Sequence, residues 1–308
     1  MTICIRKAGL LTTIQDTGRP GLQKNGISPG GAMDPLSLQL ANITCGNAPE
    51  AAGLEITMMG PEIVFEKEHW IVIGGADLSA ALDGKNVPRW TACQVRAGQL
   101  LTFGAPQEGA RAYLAVSGGI QTVPSAGSRA THLHARLGGI EGRELQAGDR
   151  IHTGEAGRRL NRRRLHPDML PELAAAAPFR ILPGPEAEEA LELLLNQSFT
   201  LTNAADRMGF RLEGDKGMLS SGGTMLSRAA DHGTIQVPPD GQPIVLMADR
   251  QTTGGYPRAG HIVYEDLPRF AQLVPGDQLT FEVLTVEEAR ELRRKWERRL
   301  RCLAGFHA

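Results

Sequence analysis

The sequence predicts a mainly β protein in two lobes, with a few short helices and a longer helix near the C-terminus. Three observations lead there. Glycine and proline (37 and 19 of 308 residues) make up nearly a fifth of the chain, against roughly 12% in average usage. Short apolar runs recur between Gly, Pro and Asp, as in strands joined by tight turns. The hydrophobic share of 41% is ordinary and the aromatic share is 5%, so a core can form and disorder is excluded.

In chain order, the first half reads as strands around one helix. Asp34 is placed to cap that helix, with Pro35 at its first position. Leu36, Leu40 and Ile43 follow at helical spacing, and Gly46 supplies a left-handed stop. Strand-like runs follow at 62–65, 70–74, 99–103 and 111–116. Residues 1–155 are therefore expected to form the N-terminal lobe. The segment 156–177 carries Arg158, Arg159, Arg162, Arg163 and Arg164, then prolines and an alanine run, and reads as a solvated linker. Residues 178–286 read as the second lobe. They offer a strand at 179–182, a helix at 185–196 with Glu186, Glu188 and Glu189 in its first turn, and strands at 234–237, 243–247, 261–264 and 278–283. Residues 287–308 complete an amphipathic helix and tail. Thr285 and Glu288 form a capping box at its start, and Ala289, Leu292, Trp296, Leu300 and Leu303 make an apolar stripe that should pack on something. A short repeat also recurs. The stretch 97–103 resembles 275–281, and 145–151 is a looser copy; each places Gly in a turn before a strand.

Charge and motifs remove several function classes. A net charge of −1 argues against a nucleic-acid binder that relies on a basic surface. No apolar run nears the roughly 18 residues of a membrane span. The first eleven residues read as no signal peptide. Cys4, Cys45, Cys93 and Cys302 lie far apart with no CxxC, so four reduced thiols in a cytoplasmic protein are expected, and no metal site. There is no phosphate-binding GxxxxGK[ST], no GxGxxG and no biotin attachment motif. Gly26-Ile27-Ser28-Pro29-Gly30 matches GxSxG, but Pro29 lacks the backbone N–H that a nucleophile elbow needs for its oxyanion hole. His132 and His134 would share one face if their segment were a strand. They lack a third ligand at fitting spacing, so a surface or hydrogen-bonding pair is expected.

Two stretches carry the chemistry. In Gln15-Asp16-Thr17-Gly18-Arg19, Asp16 can accept backbone bonds within a turn. The Asp16–Arg19 pair can equally hold a polar substrate or tune a proton, and both readings stay open. In the second, an apolar strand at 244–247 runs into Asp249-Arg250-Gln251-Thr252-Thr253-Gly254-Gly255-Tyr256-Pro257-Arg258. A rigid strand delivering polar side chains into a glycine turn is a common way to build a site. The glycine N–H groups can approach an anion, Tyr256 offers a hydroxyl and Arg258 an anion fork.

This stretch, with Gln236-Val237-Pro238 and Gly241-Gln242-Pro243-Ile244, resembles the KipA-like family, also called the biotin-dependent carboxyltransferase or allophanate-hydrolase-subunit-2-type family. The resemblance extends to residues 15–19, 31–34, 54–57, 113–120, 138–139, 182–185, 206–209 and 211–214. It implies two cyclophilin-like β-barrel lobes. It implies an enzyme subunit that works with a KipI-like and a LamB/YcsF-like subunit in an ATP-dependent 5-oxoprolinase. That complex converts 5-oxo-L-proline, ATP and water to L-glutamate, ADP and phosphate, with ATP and Mg²⁺ held in the complex rather than by this chain alone. Phosphorylation of the lactam oxygen would create the leaving group for water attack. Carried onto the matching positions, the resemblance implies catalytic roles for Asp16, Asp249 and Tyr256. It implies substrate binding by Arg19, Gln251, Thr252, Gly255 and Arg258. Relatives often carry Ser-Glu-Gly or Ser-His-Gly ahead of the Gln-Val-Pro strand, whereas this chain has Asp231-His232-Gly233. Two other readings stay open: a carboxyltransferase component served by a separate biotin carrier, and a regulatory protein that antagonises a KipI-like kinase inhibitor.

Overall fold

Strand Thr2–Lys7 buries Ile3 and Ile5 completely while Thr2 and Cys4 stay half-exposed, the period-2 alternation of a half-buried strand. The computed structural model describes residues 2–155, 163–173, 177–184, 188–215 and 226–305. Contacts divide the chain into two units. Unit 1 is Met1–Arg19, Gly30–Leu173 and Cys302–Ala308; unit 2 is Pro20–Pro29 and Ala174–Arg301. The fold is mainly β with few helices, as the sequence predicts. Most of the arginine-rich segment at 156–177 lies outside the described residues. Of its described part, Arg164 bridges Thr91 and the Arg163 carbonyl accepts from Ala92 N–H, both within unit 1.

Unit 1 holds two antiparallel sheets. Seven strands run in the order Ile120–Gln121, Arg150–Thr153, Thr2–Lys7, Glu62–Phe65, Leu100–Thr102, Ala81–Leu82, Lys85–Asn86. Five run in the order Leu11–Gln15, Gly53–Thr57, Glu108–Val116, His69–Asp77, Cys93–Val95. One apolar cluster joins residues of both sheets, including Ile5, Ile63 and Phe65 from the first and Ile14, Leu54 and Leu114 from the second. Strand Glu108–Val116 is buried on both faces. Leu114 and Val116 enter that cluster, while Tyr113 and Ala115 pack with α1 (Pro35–Thr44) on the other side. Asp34 caps α1 by accepting from Ser37 N–H at 2.8 Å, and Gly46 stops it with φ 75°.

Unit 2 is built on eight strands, in the order Gln278–Leu279, Phe199–Ala205, Gly209–Glu213, Ile244–Leu246, Thr234–Gln236, Arg258–Ile262, Phe179–Pro183, Phe281–Val283. Only the final pair is parallel. The two edge strands are separated in the chain by Thr280 alone, so the sheet curls back on itself into a near-barrel and shortens its open edges. Helix α2 spans Glu188–Leu195 and buries Ala190 and Leu194; its expected start at 185–187 lies outside the described residues. The core is aromatic. Phe270, from α3 (Leu267–Phe270), meets Phe179 edge-on at 5.0 Å and Phe210 at 5.5 Å. The expected strand at 278–283 breaks at Thr280, whose carbonyl accepts from Phe179 N–H. The expected strand at 261–264 instead spans Arg258–Ile262. It ends where Asp266 N–H donates back to the Val263 carbonyl at 3.0 Å and closes a turn.

Helix α4 (Val286–Gly305) starts with the expected capping box. Thr285 N–H donates to Glu288 Oε2 at 2.9 Å, and Glu288 N–H donates to Thr285 Oγ1 at 3.3 Å. Its apolar stripe is half-buried rather than enclosed. The three repeat copies share one turn: Gly98, Gly148 and Gly276 are all left-handed, at φ 84°, 94° and 96°, and each precedes a strand. Only glycine enters that region without strain.

A polar cavity on the outer face of the unit 2 sheet

Three adjacent strands set Arg211, Ile244 and Gln236 in one row, since Arg211 pairs with Ile244 and Ile244 with Gln236. Cross-strand neighbours share a face. Phe210, Val245 and Ile235, one position along, are fully buried in the core, so the row faces outward. Over it lies a cavity of about 290 Å³ whose polar wall is Asp206, Arg211, Gln236, Gln251 and Tyr256. Met208, Ile244 and Leu246 supply apolar surface. A volume near 300 Å³ is at the small end of ligand sites.

The loops around the cavity are pinned by two ion pairs, one buried on both sides and one joining a buried arginine to an exposed aspartate. Asp249 is 2% exposed and meets Arg207 in a fork, Oδ2 to Nε at 2.8 Å and Oδ1 to Nη2 at 3.0 Å. Asp249 N–H also donates to the Arg207 carbonyl at 2.7 Å. Asp206 completes that turn by accepting from Met208 and Gly209 N–H. Arg250, 3% exposed, pairs with Asp231 at 2.6 Å; burial lowers its pKa and Asp231 opposes that. His232 is next in the chain, with its Nε2 enclosed. Burial, then the Arg250 charge, pushes its imidazole from 6.5 down to about 3, against Asp231. The ring is thus neutral at pH 7.

The structure brings Gln251 and Tyr256 into the cavity wall. Asp249 stands behind it, held by Arg207. A carboxylate bound on both oxygens to a guanidinium is held in one orientation and in turn fixes the loop that carries it. Thr252 is anchored through its carbonyl, which accepts from Ala230 N–H at 3.0 Å and from Gln23 at 3.4 Å. Gly255 and Arg258 are half-exposed. The Arg258 guanidinium donates to the Ala229 carbonyl at 3.3 Å. Thr253–Gly254 pairs with Arg228–Ala229. Ser28 is buried, and its hydroxyl donates to the Ala248 carbonyl at 3.3 Å, a structural tie.

Asp16 and Arg19 belong to unit 1. Asp16 accepts from Gly18 N–H at 2.8 Å, Ser128 Oγ at 2.6 Å and Arg129 N–H at 2.6 Å. Arg19, 1% exposed, donates to the Ala130 and Ser125 carbonyls. The two side chains bind the 125–130 loop to the turn at 16–19. His132 and His134 lie in a turn, not a strand; His132 is buried and His134 exposed. Among the described residues no group of three or more His, Cys, Asp or Glu is placed to hold a metal.

Sequence reasoning missed Asp206, Arg211 and Gln236 as site residues. All three lie in family-like stretches, but nothing in their spacing announces that a sheet brings them beside Gln251. Gln236 is a polar residue buried on a strand, the informative kind of exception, yet burial is not visible in sequence.

A small cavity with a polar wall and an apolar floor is of the kind that takes small ligands. The chain belongs to the carboxyltransferase domain, subdomain A and B, family, whose model matches residues 25–283. It is 39% identical over 306 residues to the C subunit of 5-oxoprolinase from Escherichia coli (strain K12), covering 97% of each chain. It is 39% identical over 285 residues to the C subunit of 5-oxoprolinase from Haemophilus influenzae, covering 92% of each. The crystal structure of Kluyveromyces lactis urea amidolyase superposes with a TM-score of 0.89 at 28% identity, over 98% of this chain and 20% of that one.

Proposed function

We propose that this chain is one subunit of an ATP-dependent 5-oxoprolinase. The observation that carries this reading is the 39% identity to the C subunit of the Escherichia coli 5-oxoprolinase across 97% of both chains. In this reading the enzyme also contains a KipI-like and a LamB/YcsF-like subunit and works in the cytoplasm. The unit 2 cavity offers Gln251 and Tyr256 to a small polar substrate, and Asp249 acts by fixing the loop that carries Gln251. Thr252, Gly255 and Arg258 shape that loop, while Asp16 and Arg19 order the 16–19 turn of unit 1. The cavity does not fit a nucleoside triphosphate. At about 290 Å³, with Arg211 the only cation lining it among the described residues, it is too small and too weakly positive. ATP and Mg²⁺ are therefore assigned to the assembled complex.

A second reading, carboxyl transfer as in urea amidolyase, draws on the superposition with the Kluyveromyces lactis enzyme. A regulatory role against a KipI-like inhibitor would use the same partner. The test is 5-oxoproline-dependent formation of ADP and glutamate by this chain alone, then with the KipI-like and LamB/YcsF-like subunits from the same source. Activity in the mixture and not in its parts is the expected result. An intact complex without turnover would overturn the reading and turn attention to carboxybiotin.

A further inference from the structure

Two polar groups in the unit 2 cavity are not used by the protein itself. Gln236 is 2% exposed, and its Nε2 is enclosed with no hydrogen-bond partner among the described residues. A buried amide donor left unmade is destabilising, and a ligand that accepts from it relieves the penalty. The second group is the Arg211 guanidinium, exposed and without an ion pair among the described residues.

Their placement is set by the sheet. Arg211 and Gln236 flank Ile244 on the same face, two strand spacings or about 10 Å apart at the backbone. Their side chains thus bracket a short span floored by Ile244 and Leu246. The glycine turn completes the arrangement. A Cβ on Gly254 would come within 2.1 Å of Gln236 Nε2. Its backbone is fixed by pairing with Arg228. Gly254 is needed here for space, and the space is taken by the carboxamide.

We propose that this cavity is a subsite for a cyclic amide bearing a carboxylate, with Gln236 reading the N–C=O edge of the ring and Arg211 the carboxylate. The chemistry is complementary at each point. A ring lactam presents its N–H and C=O on one edge, and a carboxamide presents a matching acceptor and donor. Guanidinium and carboxylate pair in a fork. Ring methylenes cover Ile244 and Leu246. This inference rests on the oxoprolinase reading and assigns it a specificity-determining pair.

The experiment measures binding by calorimetry, on the full chain and on its reconstituted complex. The probes are 5-oxo-L-proline, 2-pyrrolidinone (no carboxylate) and L-proline (no ring carbonyl). Arg211→Gln should weaken 5-oxo-L-proline at least tenfold and leave 2-pyrrolidinone unchanged. Gln236→Leu should weaken both, and L-proline should bind poorly throughout. Gln236→Glu, near-isosteric, guards against misfolding; with an unchanged melting temperature it should still lose 5-oxo-L-proline. Wild-type binding in Arg211→Gln and Gln236→Glu overturns the subsite, as does absence of 5-oxo-L-proline binding to both chain and complex. Turnover distinguishes the subsite from the enzyme reading. A complex that hydrolyses 5-oxoproline with unchanged KM in both variants keeps the oxoprolinase reading and removes the subsite. A complex without turnover whose binding follows the predicted pattern keeps the subsite and removes that reading.

Discussion

Among single residues, burial separates groups that hold the protein together from groups that can meet a ligand. Asp249 looks like a base in sequence, but both its oxygens are taken by Arg207. Removing one partner of such a pair leaves a buried charge unpaired, at about 3–5 kcal/mol. Asp249→Ala and Arg207→Ala should each lower the free energy of urea unfolding by that amount. The double variant should lose less than the sum, because the pair fails as a unit. Full stability in Asp249→Ala with turnover abolished would instead restore Asp249 as a base. The contrast with Gln236 is one of partners: each Asp249 oxygen accepts from Arg207, and the Gln236 amide donates to nothing described. Gln251 and Tyr256 are legible in sequence because a strand running into a glycine turn exposes the residues beyond it. Gln236 and Arg211 are not, because they reach the site through strand pairing with Ile244.

Among the helices and strands, local rules hold where hydrogen bonds are local. Asp34 caps α1 and Thr285 with Glu288 caps α4 as their spacing requires. Thr285→Ala removes one acceptor at the start of α4 and should cost about 1 kcal/mol. The readout is faster amide exchange across the first turn of α4; unchanged exchange there would mean that tertiary contacts, not the cap, hold the helix start. Elements that depend on distant partners are placed less well by sequence. The strand at Arg258–Ile262 begins three residues before its expected start because Arg258 lies opposite Gln236. That shift carries the end of the glycine motif into the sheet. His132 and His134 fail as a strand pair because His132 bonds back to Leu137 across a tight turn.

Across the molecule, each unit carries a histidine that resists protonation. Burial lowers the pKa of His69 in unit 1 and takes His232 in unit 2 down to about 3. Unfolded, both would titrate near 6.5. Below that value the unfolded chain binds more protons than the folded one, so stability falls as pH falls. The contribution is fully present above about pH 6.5 and, for His232, is lost progressively toward pH 3. Glu265, raised by burial, acts in the opposite sense nearer the carboxylate range. The urea midpoint should therefore drop between about pH 7.5 and about pH 5.5, and His69→Asn with His232→Asn should flatten that slope. An equal slope in wild type and double variant would show that other groups set the acid response.

The linear chain is enough to establish the mainly β class, both helix caps, the repeated glycine turn and the two stretches richest in polar chemistry. These rest on short-range facts: side-chain period, φ preference, and hydrogen bonds spanning a few residues. The folded chain was needed to show that residues 20–29 join unit 2, that Asp16 and Arg19 are tied into a loop of unit 1, and that Arg211, Ile244 and Gln236 share one face. It was needed too for which polar groups are satisfied. Strand register and burial depend on partners tens to hundreds of residues away, and a linear pattern carries no record of which partner a strand will choose.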